Sequence, residues 1–142
     1  MLVKHIMTQH LKTLTPNATL HDAHNMSRQQ GIRHIPIVDP STHKFIGVVT
    51  QKALVAKVMS LVSHVPPSQL ADAEKAIAIS DVYVVDCKTI TPEQSVLQVA
   101  EYFLSYKHGC LPVVDEQKKL VGIVTSSDFV KLAITLLQQQ KA

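Results

Sequence analysis

The sequence repeats itself in order. Thr13-Leu14-Thr15-Pro16 returns as Thr89-Ile90-Thr91-Pro92, Ile35-Pro36-Ile37-Val38-Asp39 as Leu111-Pro112-Val113-Val114-Asp115, and Lys44-Phe45-Ile46-Gly47-Val48-Val49-Thr50 as Lys119-Leu120-Val121-Gly122-Ile123-Val124-Thr125. The offset is 76 for the first two matches and 75 for the third, so the second copy lacks one residue between its aspartate and its glycine. A polar loop absorbs such a loss. Two units of about sixty residues, each too small to bury a sufficient core, must share one.

Bulk properties narrow the class. The 142 residues, 46% of them hydrophobic, suit one compact domain or two packed halves. The longest apolar runs, Leu54 to Val62 and Val130 to Leu137, are broken by Lys57, Ser60, Lys131 and Thr135 and are too short to span a bilayer. Met1 to Met7 has neither a basic stretch before a long apolar core nor a small-residue cleavage site, so a cytoplasmic protein with no membrane partner is expected. The net charge of +3 comes from scattered residues, with Arg28 and Arg33 the only arginines, and Trp is absent. A nucleic-acid partner, which needs clustered cations and stacking aromatics, is not expected. Cys87 and Cys110 form no C-x-x-C pair, both fall in segments that read as strands, and they are expected to be reduced, mostly buried thiols.

Local signals give each copy the order strand, helix, strand, strand, helix. Lys12 to Thr15 reads as a short strand ended by Pro16 and Asn17. Thr19-Leu20-His21-Asp22 is a capping box, Leu20, Ala23, Met26 and Ser27 share a face, and Gly31 supplies the stop. Ser95-Val96-Leu97-Gln98 repeats the box, with Val96, Val99, Ala100, Phe103 and Leu104 as the buried stripe and Gly109 as the stop. Ile35 to Val38 with Phe45 to Val49, and Leu111 to Val114 with Leu120 to Val124, are close enough for antiparallel hairpins. Second helices begin near Lys52 and Ser127. They carry the adjacent apolar pairs Leu54-Val55, Val58-Met59, Leu61-Val62 and Phe129-Val130, Leu132-Ala133, Leu136-Leu137, a stripe wide enough for more than one neighbour. Pro66-Pro67 breaks the chain before a short helix from Ser68 toward Ile77. Two helices on one face of a three-stranded sheet leave the other face bare, and the sister sheet is the simplest cover. The expected fold class is α/β (α+β): two pseudo-twofold-related β-α-β-β-α repeats packed through their sheets, at residues 1–62 and 79–142, with a connector at 63–78.

One segment carries the strongest chemical signal. At Gly122-Ile123-Val124-Thr125-Ser126-Ser127-Asp128 a strand passes into a helix, whose first amides and dipole favour an anion beside the hydroxyls of Thr125, Ser126 and Ser127. Asp128 adds two acceptor oxygens that suit the vicinal diol of a ribose. Any one of these residues, taken alone, is more simply a helix cap. His21 and His24 lie three residues apart on a helix, but no third metal ligand is evident, so an exposed polar face is the expectation and no metal is assigned. Cys110 with His34 or His108 offers no credible nucleophile and base, since Cys110 reads as a strand residue. No acid, base or metal set converges, and no catalytic residue is assigned.

The duplication and the Gly-hydrophobic-hydrophobic-Thr-x-x-Asp close, together with the leading Val3-Lys4-His5-Ile6-Met7-Thr8 and the hydrophobic-Pro strands, resemble the cystathionine-beta-synthase (CBS) domain family in its tandem arrangement, the Bateman module. The likeness covers essentially the whole chain. It implies an adenosine-containing ligand in the cleft between repeats: AMP, ADP, ATP or S-adenosylmethionine, acting as a regulatory ligand rather than a cofactor. By that resemblance Asp128 would hold the ribose, with Thr125, Ser126 and Ser127 beside it. Lys4, Gln9 and Ile32 would face the ligand from the first copy, and the basic pair Arg33-His34 would point toward phosphates. The sister site departs from the pattern, because Ala53 stands where Asp128 does. Thr50, Lys52, Ser80, Val85, His108 and Gly109 would make a weaker, altered or empty site. His5 also stands where the family often has Asp, a place Asp81 fills in the second copy. Acetoin-utilisation-like stand-alone modules are one kind of relative this suggests. The expectation is a non-enzymatic regulatory sensor that signals in trans to a separate regulated protein and pairs into a homodimer. The alternative is a ligand-free dimerisation scaffold.

Overall fold

The computed structural model describes residues 1–105 and 109–140. Its elements are α1 (Leu20–Gln30), β1 (His34–Val38), β2 (Phe45–Thr50), α2 (Gln51–Val62), α3 (Leu70–Lys75), α4 (Val96–Ser105), β3 (Cys110–Val114), β4 (Leu120–Thr125) and α5 (Ser126–Gln140). This is a mixed α/β chain with two short antiparallel sheets, β1–β2 and β3–β4. The capping box of α1 forms as expected, and at α4 the serine half of the box forms. Thr19 Oγ1 accepts the Asp22 amide while Asp22 Oδ2 accepts the Thr19 amide, and Gly31 closes α1 at φ +65°. Ser95 Oγ accepts the amides of Leu97 and Gln98.

Both hairpins share one register, with a bulge just before the turn between Ile37 and Val38 and between Val113 and Val114. The turn is where the missing residue falls. His43 and Lys118 both sit at positive φ, yet the His43 amide reaches back to Asp39 C=O over four residues and the Lys118 amide to Asp115 C=O over three. Strand prolines are tolerated for a geometric reason. The Val38 amide donates outward to Leu14 C=O, and period-two alternation points the nitrogen of Pro36 to that same outer edge, so the ladder loses no bond.

Chain packing does not follow the repeat boundaries. One compact unit comprises Lys12–Cys87, and the other comprises Met1–Leu11 with Lys88–Ala142. In the first, Leu20, Ile35, Ile37, Val49, Leu54 and Ile79 form the core. The core of the second is Val3, Ile90, Val99, Leu111, Val113 and Val124. Each repeat's leading segment is thus buried against the other repeat's hairpin. Val3 is fully buried and its amide donates to Gln94 C=O, while Ile79 is fully buried and its amide donates to Ala18 C=O.

Several expectations need correcting. The strand at Lys12 to Thr15 reduces to a single parallel bridge, Leu14 to Ile37, because Pro16 offers no donor to extend it; Ile90 to Val113 repeats this. Leu104 is 90% exposed and leaves the stripe of α4. The relation of α4 to Gly109 lies outside the described residues. In α2 the first member of each apolar pair, Leu54, Val58 and Leu61, turns toward the core, while Val55, Met59 and Val62 face outward. Cys110 is in β3 as expected, but Cys87 lies in irregular chain, half-buried, with its thiol near Val84 C=O and its pKa raised by burial and by Asp86. The connector does contain a helix, α3, after a 3-10 turn at Pro67–Gln69.

Candidate functional site

β4 delivers Thr125, Ser126, Ser127 and Asp128 to the start of α5, where Thr125 is the cap position and Asp128 the third helical residue. Asp128 is 4% exposed. Its Oδ2 accepts the Thr125 amide at 2.8 Å, which satisfies a group the helix start leaves open. Oδ1 accepts the Thr8 hydroxyl at 2.8 Å. The hydroxyls of Thr125 and Ser127 are 2.8 Å apart and both reach the surface. Thr8 is presented by the leading segment, which crosses β4 at Ile123: the Thr8 amide donates to Ile123 C=O and the Ile123 amide to Thr8 C=O. Gly122 permits this crossing, since a Cβ there would lie 2.7 Å from Met7 Sδ.

The same frame recurs in the other unit with its chemistry removed. Val84 exchanges both backbone bonds with Val48, and a Cβ on Gly47 would lie 2.6 Å from Val84 C=O. Val84 therefore stands at the place of Thr8, and Ala53 at that of Asp128. Thr50 Oγ1 accepts the Ala53 amide at 3.1 Å, an ordinary cap.

The residues singled out in the sequence divide between the units. Lys4, Gln9, Thr125, Ser126, Ser127 and Asp128 fall in one, with Lys4 and Gln9 both exposed on the leading segment. Ile32, Arg33 and His34 fall in the other. There Ile32 C=O accepts the Ser27 hydroxyl, and Arg33 C=O accepts the first amide of α2 at 2.7 Å. Burial lowers the His34 pKa from 6.5, and the neighbouring Arg33 charge adds to the shift. Of the sister set, Thr50, Lys52, Ser80 and Val85 share a unit, Gly109 is in the other, and His108 lies outside the described residues. His5 makes a local bond, its Nδ1 accepting the Leu2 amide.

Three features escaped sequence reasoning. Thr8 was not distinguished from the rest of the leading segment, although its mismatch with Val84 accompanies that of Asp128 with Ala53. A groove of about 360 Å³ lies between α1 and α2, lined by His24, Ser27, Arg28, Gln51, Leu54, Val55, Val58 and Met59. Beside it, His24 Nδ1 meets the buried Glu74 carboxylate of α3 at 2.7 Å, so His24 serves packing rather than an open polar face. His21 bonds Asn25, and among the described residues no cluster of His, Cys, Asp or Glu is arranged to hold a metal. Among those residues no helix is long and apolar enough to cross a membrane.

A duplicated α/β hairpin-and-helix module, with a helix-start carboxylate kept in one copy and lost in the other, is the class these features define. The chain belongs to the CBS domain family, whose pattern matches residues 3–60 and 79–134. It is similar to the crystal structure of a protein assigned to acetoin utilization (AcuB) from Vibrio cholerae, 37% identical over 99% of this chain and 96% of that one, with a TM-score of 0.81. The CBS domain pair of protein MJ0100, solved with 5′-methylthioadenosine and S-adenosyl-L-methionine, is 28% identical over 93% and 94% of the two chains, with a TM-score of 0.72. CBSX2 in complex with AMP shares the fold, with a TM-score of 0.79 at 23% identity over 95% and 97%. Among curated proteins the chain is 24% identical, over 92% of its length, to homoserine O-acetyltransferase of Methanococcoides burtonii, and it spans only 24% of that relative.

Proposed function

We propose that this chain is a regulatory CBS pair that binds an adenosine-containing ligand at the Asp128 site and passes its occupancy to a separate protein. The observation that carries the reading is the Asp128 carboxylate, ordered at a helix start: Oδ1 accepts the Thr8 hydroxyl and Oδ2 the Thr125 amide, while the Thr125 hydroxyl lies 3.5 Å from Oδ2 and 2.8 Å from the Ser127 hydroxyl. A carboxylate has about four acceptor positions, so with the Thr125 hydroxyl turned to Ser127 one remains on each oxygen, which is the demand of a vicinal diol. MJ0100 bound to methylthioadenosine and S-adenosylmethionine, and CBSX2 bound to AMP, supply the ligand class. Lys4 and Gln9, which share the unit of Asp128, are assigned to the base. Occupancy acts on the partner only as far as the ligand prefers one arrangement of the pair.

Calorimetric titration with AMP, ADP, ATP and S-adenosylmethionine is the test. One of them should bind, and Asp128→Ala should weaken it by about 1.5–3 kcal/mol, the loss of hydrogen bonds to a charged acceptor. No heat with any of the four overturns the reading.

A second reading, a ligand-free dimerisation scaffold, is favoured by one specific pattern. Val55, Met59 and Val62 of α2 and Val130, Ile134 and Leu137 of α5 are all exposed, and the two sets correspond residue for residue at the 75-residue offset. Such unpartnered stripes suit a second copy of the chain. Homodimerisation is compatible with sensing, so the two readings part on ligand alone. Sedimentation should give a dimer that Met59→Glu with Ile134→Glu dissociates; a monomeric wild type removes the scaffold reading.

A further inference from the structure

We propose that Thr8 is a positioning residue for the Asp128 carboxylate and, through it, for the diol of the bound ligand; this rests on the adenosine-ligand reading above. An aspartate side chain has a broad terminal torsion, so its carboxylate plane is fixed only by what it bonds. Thr8 holds Oδ1 through its hydroxyl at 2.8 Å, and Thr125 holds Oδ2 through its amide at 2.8 Å and more weakly through its hydroxyl at 3.5 Å. Release of Oδ1 leaves the plane free to turn about the Oδ2 bond, and the two open acceptor positions lose their alignment with two adjacent hydroxyls. The anchor itself is well held, since both backbone bonds of Thr8 to Ile123 are 2.9–3.0 Å.

The sister frame separates this role from mere support of the fold. Val84 makes the same pair of backbone bonds, at 2.9–3.0 Å to Val48, with a side chain of the same β-branched shape and no hydroxyl. Where the hydroxyl is absent, the carboxylate is absent too, because Ala53 replaces Asp128. The segment crossing therefore does not need the hydroxyl. The carboxylate does.

The experiment compares wild type, Thr8→Val and Thr8→Ser by calorimetry with AMP and with 2′,3′-dideoxyadenosine monophosphate. Wild type should prefer AMP. Thr8→Val, a residue the sister position shows to be compatible with the backbone, should cut that preference about 3- to 10-fold by weakening AMP while leaving the dideoxy analogue unchanged. Thr8→Ser should restore it. A Thr8→Val protein that keeps the full preference, or that loses both ligands equally, overturns the positioning role while the ligand reading stands. If wild type binds AMP without preferring the diol, the ribose role of Asp128 fails and this inference with it. If wild type binds neither compound, this inference is overturned, and the adenosine reading falls with it only when ADP, ATP and S-adenosylmethionine also fail to bind.

Discussion

Gly47 and Gly122 occupy one position in the two hairpins, and each is glycine because a chain segment crosses directly above it. The obstacles differ. A Cβ on Gly122 meets first the flexible end of Met7, at 2.7 Å from Sδ, whereas one on Gly47 meets the backbone oxygen of Val84 at 2.6 Å as well as the Tyr83 ring. A thioether can turn aside; a paired carbonyl cannot. Gly47→Ala should therefore destabilise more, by about 2–3 kcal/mol against about 1 for Gly122→Ala, on the scale of overpacked cores. Urea denaturation of both variants checks the order. His34 gives a pH dependence at the same scale. Its pKa is lowered from 6.5 by burial and then by Arg33, so the folded chain binds this proton less readily than the unfolded chain. Stability rises with pH through the window just below 6.5 and is lost as pH falls into it. Between about pH 7.5 and 5.5 the urea midpoint should fall less in His34→Gln than in wild type. Equal falls would remove His34 as the cause.

Among the elements, the connector helix α3 is fixed to α1 by the pair between His24 and Glu74, whose side chain is 4% exposed. Removal of one partner leaves a buried polar group without compensation, while removal of both need not. His24→Ala should cost about 1–3 kcal/mol, and His24→Leu with Glu74→Leu distinctly less than the sum of the single changes. A double-mutant cycle read by chemical denaturation measures this coupling, and additive costs would show the pair to be idle. The caps that start α1 and α4 were legible because a capping box is contained in four consecutive residues. Leu104 was not. Its helix period places it with Val96 and Ala100, but burial depends on what lies opposite, and among the described residues nothing covers it. The strand expected at Lys12 to Thr15 failed for a related reason: its apolar pattern is real, but a ladder needs donors, and Pro16 ends the supply.

At the scale of the whole molecule, each compact unit is completed by a segment that its sequence repeat does not contain. Met1–Leu11 belongs in space with Lys88–Ala142. Fragment 88–142 alone lacks buried Val3, the Thr8–Ile123 pairing and the Thr8 anchor of Asp128, so it should remain poorly ordered. A synthetic peptide of residues 1–11 should bind the fragment and increase its amide protection from hydrogen exchange, most strongly around Ile123. Protection that is already native-like without the peptide would show that the segment is dispensable.

The sequence by itself determined the duplication, both hairpins, the helix starts and the carboxylate that distinguishes one copy from the other. These are short-range matters: periodicity, caps and turn residues act over a few positions and are written in residue identity. Only the tertiary structure decided that the leading segments cross to the opposite hairpin, that Thr8 faces Asp128, and that the outer halves of α2 and α5 stay bare. The Thr8–Ile123 and Val84–Val48 crossings are made by backbone groups that nearly every residue carries. Such pairing leaves little mark on side-chain identity, except at the glycines that make room for it and at the Thr8 hydroxyl that meets Asp128.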